Sequence, residues 1–371
     1  MRTSGKRTTI ASLLLGGALS MSVSGQVVTP SPGATPAPAP PPIRLALTSL
    51  KPEAVIQGGG DRRIAITSDG VWLTDRASGT LTRIDPKTNM PGTAVSVGSG
   101  PCQPVVAAFK TLWVALCDSR KLLRFEPPPD SPAAPKQTTD KPGTDKQATD
   151  KPNTAKPETD KPAEEKKLVG PVAVEIRSAG PLATGTGSIW MVTDTAGTLA
   201  RIDPDTNAVV AEIYVPRGIS GLAIGMGAVW LTSVTDNTVT RVNAATNVVE
   251  ETIKVGRGPV SVAFGEGSVW TLNGGDSTVS RIDPKTNKVT ETIKSGVSAT
   301  SGTIVVGEGS VWLSATGMPL TRIDPVANRM VQQFSGPGGG SLAIGLKSLW
   351  LGATPTAIWR IDPKRVEATL R

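Results

Sequence analysis

Histidine is absent from all 371 residues. That removes Ser-His-Asp nucleophiles and imidazole-activated cysteines, and it leaves few ways to build a zinc site. Cysteine is nearly absent too, with only Cys102 and Cys117. Two thiols without imidazole make a poor zinc set, and a nucleophilic cysteine has no imidazole to activate it. One tyrosine and four phenylalanines accompany eight tryptophans, so large-aromatic packing falls to tryptophan. No dense basic stripe interleaved with aromatics exists, which argues against specific nucleic-acid recognition. Beyond the first 25 residues no run is apolar enough to span a bilayer, so no transmembrane anchor is expected.

The ends are informative. Residues 1–25 read as a secretory signal, with Arg2, Lys6 and Arg7 ahead of the short apolar run Ile10–Met21 and small residues before Gln26. Residues 26–43 are a Pro-rich linker suited to extended polyproline geometry. The expected location is outside the cytoplasm, periplasmic or extracellular. The formal charge of +8 includes the three cations of the signal. A second biased segment, about 127–167, repeats Thr-Asp-Lys-Pro with balanced charge and is expected to be disordered. The rest, within 44–371, is therefore only mildly basic.

Seven tryptophans recur along that stretch: Trp72, Trp113, Trp190, Trp230, Trp270, Trp312 and Trp350. They step by about 40 residues, apart from one long step that contains the biased segment. Each follows an aliphatic residue, and most are followed ten or eleven residues later by Arg-Ile-Asp-Pro or a relative of it. A repeat of about 40 residues that carries only strand and turn signals predicts a β-propeller. The expected fold is all-β, with seven blades of four antiparallel strands.

The fifth repeat shows the unit. Val260–Phe264 alternates as an innermost strand, followed by a Gly-Glu-Gly turn, then Ser268–Leu272, Thr278–Ile282 and the outer strand Val289–Lys294. Pro284 and Asp283 suit the turn after Ile282, the first by its fixed φ and the second by capping with its carboxylate. Arg281 and Asp283 lie two apart on one strand, placed to pair or to be solvated together. Features present once per blade are read as blade packing. Ring closure has two candidates: Val366–Leu370, or Ala54–Gln57 just before the first inner strand, Arg63–Thr67.

Candidate ligand positions lie in loops joining the second strand to the third and the outer strand to the next inner one. The first set holds Asp75, Asp118, Asp194, Asp236 and Asp276; the second holds Arg62, Arg63, Arg217 and Arg257. The acids can line a tunnel mouth around a hard cation such as Ca²⁺ or Mg²⁺, or they can be Asx turns. If Phe109 pairs with Leu112, Cys117 lies opposite Pro104, two residues from Cys102, so a disulfide is expected in an exported chain.

Val-Trp-Leu-Thr at 71–74, Gly-Glu-Gly-Ser-Val-Trp at 265–270 and 307–312, and Arg-Ile-Asp-Pro-x-Thr-Asn at 83–89 and 281–287 resemble YVTN-type repeat propellers. They are also similar to the virginiamycin B (streptogramin) lyase-like superfamily. That resemblance implies opening of a cyclic depsipeptide by an elimination that needs a His, acidic residues and Mg²⁺. This chain has no such His, so no catalytic residue carries over. The expectation is a monomeric, non-enzymatic binding scaffold for a protein, glycan or small molecule, with no cofactor. The alternative is a divalent-cation-dependent hydrolase or lyase, streptogramin lyase-like or lactonase-like, at the tunnel mouth.

Overall fold

The computed structural model describes residues 40–57, 62–68, 70–103, 105–109, 111–125 and 172–370. The expected signal, nearly all of the linker and the biased segment lie outside them. Residues 41–371 contain one compact unit. It is a seven-bladed β-propeller, each blade a four-stranded antiparallel sheet, one of them with a fifth strand added.

The inner strands of blades one to seven are Arg62–Ile66, Val106–Ala108, Leu182–Gly185, Ile219–Gly225, Pro259–Gly265, Gly302–Gly307 and Leu342–Gly345. Each touches the next, and the last touches the first, so the ring is closed. In blade five the four strands run Pro259–Gly265, Ser268–Asn273, Thr278–Asp283 and Lys288–Lys294, within a residue or two of the expected bounds. The turn between the first two places Glu266 at φ 47 and Gly267 at φ 70. That is the doubly left-handed two-residue hairpin whose twist matches its strands.

Ala54–Gln57 closes the ring. It pairs antiparallel with Ala357–Ile361 as the outer strand of blade seven. Val366–Leu370 is not a strand: Pro363–Ala368 is a short helix, with Asp362 accepting from Lys364 N and Pro363 in its first turn. With the outer place already filled from the other end of the chain, the Asp-Pro segment continues as a helix rather than as a strand. A further strand, Ile43–Ala46, lies parallel to Arg329–Ser335 on the outside of blade six. It begins at the residue where the Pro-rich linker was expected to end.

The recurring Trp and Arg are cross-strand neighbours in every blade, from Trp72 with Arg83 to Trp350 with Arg360. In blades two to seven the guanidinium sits over the indole, 5.0 Å from the ring centre for Arg281 over Trp270. Arg281 does not pair with Asp283. Its Nη1 donates to Pro325 O at 2.8 Å and to Asn328 Oδ1 at 2.9 Å, both in the next blade. Arg201, Arg241 and Arg360 make the same two bonds, the last to Pro86 and Asn89 across the closure. The acceptor Asn residues all have positive φ, which asparagine tolerates better than most. Asp283 instead accepts from Lys285 N at 2.8 Å and caps its own turn. That backbone bond is the main reason its carboxyl lies below the usual carboxylate range, and Asp85 and Asp203 are lowered by the same kind of donor. The motif is therefore a clasp between blades.

Candidate functional site

The loops after the second and outer strands share one face with the mouth of the ring. Inner-strand hydroxyls here tie blade to blade. Ser220 Oγ donates to Pro259 O at 2.6 Å, Ile304 N donates to Ser261 Oγ at 3.3 Å, and Thr303 Oγ1 donates to Gly340 O at 2.5 Å. These hydroxyls were not singled out from sequence, because their partners lie about one repeat of 40 residues away.

The five acids sit in this face but do not converge. Asp75 Oδ1 accepts from Ala77 N and Ser78 N, an Asx turn. Asp118 meets Arg76 at 3.8 Å, both half-exposed, a pair that adds little stability. Asp194 is the most enclosed: it accepts from Gly197 N, Thr198 N and Thr198 Oγ1, and from Arg177 Nη1 at 3.4 Å. Burial works to raise its carboxyl, but the Thr198 and Gly197 donors outweigh that and hold it below the usual carboxylate range. Asp276 accepts from Arg257 N at 2.8 Å and Thr278 Oγ1 at 2.6 Å. Asp236 is exposed, and its backbone is held by Ser233 and Lys254.

A shared cation needs several oxygens aimed at one point. Among the described residues, no three His, Cys, Asp or Glu side chains are grouped to hold a metal ion. The donor set does not fit the Mg²⁺ that the lyase resemblance implied, because the best-held carboxylates already accept from their own loops.

The arginines follow a pattern that sequence reading caught only in part. Arg177, Arg217 and Arg257 each lie six residues before the inner-strand alanine that pairs with the blade's Trp, in three consecutive blades. All three are exposed. Arg217 and Arg257 were candidates from sequence and Arg177 was not, although the repeat itself predicts it. The corresponding loops of blades six and seven carry Ala299 and Pro337, so the charged arc covers one side of the face. Arg62 lies opposite Asp75 in the first blade, with Arg63 beside it.

Cys102 and Cys117 form a disulfide with Cα atoms 5.8 Å apart. The register differs from that expected: Ala108 pairs with Thr111, and Cys117 N bonds to Gly100 O. Pro101 bridges to Leu116 and Cys102 N donates to Ala115 O, which sets the two cysteines side by side.

With this geometry in place, solved structures provide a match. Virginiamycin B lyase from Staphylococcus aureus superposes with a TM-score of 0.63 at 14% identity, covering 83% of this chain and 98% of that one. In fold, the chain is similar to that lyase. The matched structure is a catalytically inactive variant, His replaced by Ala, with quinupristin. Selenomethionine-substituted virginiamycin B lyase from the same organism matches with the same TM-score and identity, over 97% of that chain. No family model matches the sequence. No curated protein matches it either. Among the described residues no helix is long and apolar enough to cross a membrane.

Proposed function

We propose that the chain is an exported, non-enzymatic propeller of the YVTN-like, lyase-like kind, which binds an extended protein or glycan on its loop face. The observation that carries this reading is the arc of Arg177, Arg217 and Arg257 on three successive blades. Exposed guanidinium forks at a regular interval suit a ligand that repeats its acceptors, and they recruit it at long range. The Asp residues beside them temper the charge and favour ligands with both signs or with hydroxyls. A disulfide suits an oxidising compartment, which supports export.

Chemistry has less support. The fold relative was inactivated by replacing a His, and this chain has none. Of the five loop carboxylates, Asp75 and Asp194 cap their own turns, Asp276 accepts from Arg257 N and Asp118 meets Arg76, and no two of them face each other as an acid–base pair. The proposal is tested by glycan and peptide arrays probed with the wild type and with an Arg217→Glu, Arg257→Glu double variant. Specific signals for the wild type that disappear in the variant, at an unchanged melting temperature, are the expected result. Retention of every signal by the variant would move binding off this face.

A further inference from the structure

The arginine arc runs beyond three blades. Arg76 and Arg120 lie in the loops after the second strands of blades one and two, on the same face as Arg177, Arg217 and Arg257. Blades one to five thus each carry an exposed arginine there. The rest of the face is neutral. Loops 295–301 and 316–317 of blade six, and 336–341 and 355–356 of blade seven, contain no charged residue.

Donors and acceptors on the arc are turned different ways. Among the described residues the guanidinium groups of Arg120 and Arg217 have no hydrogen-bond or ion-pair partner. Arg76 and Arg177 hold only loose pairs, 3.8 Å to Asp118 and 3.4 Å to Asp194. Such exposed pairs are worth little, so both cations are free to turn to a ligand. The carboxylates of Asp75, Asp194 and Asp276, by contrast, accept from backbone N–H groups of the same loops. The face therefore offers charged N–H donors outward and spends much of its acceptor capacity on itself, which suits a ligand that brings anionic acceptors.

The loops also favour one class of polyanion. They contain no Trp, Tyr or Phe, so nucleobases have nothing to stack on. Exposed hydroxyls stand beside the arginines: Ser78, Ser119, Thr195 and Thr235, one on each of blades one to four. A hydroxyl both donates and accepts, and the ring hydroxyls of a sugar match it where an acidic peptide has none.

We infer that this face binds a linear acidic polysaccharide, with one carboxylate per sugar unit, laid across blades one to five. The guanidinium forks take the carboxylates, the loop hydroxyls take the ring hydroxyls, and contacts on successive blades reinforce one another. The inference rests on the loop face being the binding surface, and it names the ligand class.

The test is fluorescence anisotropy of the full chain with a labelled oligogalacturonate of about ten units. Saturable binding that weakens with salt, and is about a hundredfold or more tighter than for the single sugar, is expected. Reducing the carboxylates to alcohols should abolish it. Arg76→Gln combined with Arg120→Asn should weaken it about tenfold or more at an unchanged melting temperature. Asparagine suits the second position, where φ is 55. No saturable binding, equal binding of the reduced chain, tighter binding of poly-glutamate or of an oligonucleotide of the same length, or full affinity in the folded variant would overturn the inference. A neutral glycan or a peptide bound through Arg217 and Arg257 would overturn the acidic polysaccharide alone and leave the loop face as the binding surface.

Discussion

A chain that begins at Arg62 loses its cooperative unfolding transition, whereas one that begins at Pro41 keeps it. The residues removed hold the outer strand of blade seven, Ala54–Gln57, and three buried anchors: Leu47 at 3%, Leu50 at 4% and Ile56 at 4% exposed. Leu47 and Leu50 pack with Trp312, Phe334 and Leu349 at the junction of blades six and seven. Ile56 packs with Trp350, Leu73 and Ile64 at the junction of blades seven and one. Burial of each is worth about 1.5–3 kcal/mol. Their sum rivals a typical net stability of about 5–15 kcal/mol. The deletion also leaves Ala357–Ile361 as an unpaired edge, an invitation to intermolecular pairing. Light scattering and thermal circular dichroism on the two chains provide the check. A cooperative, monomeric melt from the Arg62 chain would show that the last blade closes without its outer strand.

Trp270→Ala lowers stability by about 3–5 kcal/mol, the range for emptying a large aromatic site. Trp270 is fully buried and packs on Ile304, Val311 and Leu313 of the following blade. Its Nε1 donates to Gly265 O at 3.0 Å. Arg281, stacked on its ring, carries the bonds into blade six. Arg281→Ala alone should cost less. Combining the two should cost less than their sum, because the stacked pair shares one interaction. Urea unfolding of the four chains of this cycle measures it. Strict additivity would mean that the guanidinium gains nothing from the indole beneath it.

Much of this molecule could be read from its sequence, and the reasons are local. Seven Val/Ile/Leu-Trp pairs at a fixed period mark the second strand of each blade, and Gly-rich turns beside them fix the hairpins. The blade bounds followed to within a residue or two. What escaped reading lies between repeats. Arg281 was placed beside Asp283 because they share a strand, yet its acceptors are Pro325 and Asn328 in the next blade. Ring closure joins Ile56 to Ile358, a distance along the chain that no local pattern spans. Asp362-Pro363 looks like the turn of blades one, three, five and six and becomes a helix because the outer strand arrives from elsewhere. Ile43–Ala46 alternates as a strand should, but it directly follows a proline-rich run, at the point where the linker was expected to end, and was not read as a strand. Asp75 and Asp194 of the loop face cap their own turns, one of the two readings their sequence offered, whereas the place of Ile43–Ala46 depends on a pairing between residues far apart in sequence.

The central claim is that this propeller binds rather than cleaves, although its fold relative is a lyase. Quinupristin incubated with the protein, in EDTA and then in Mg²⁺, tests that claim most directly. An elimination adds no water, so an opened ring keeps its mass and is recognised by a changed retention on reversed-phase chromatography. The account predicts a single unaltered peak, no different from a protein-free control, in both conditions. A second peak of the same mass that grows with time and with protein concentration would contradict it, and would demand a catalytic base other than imidazole on the loop face.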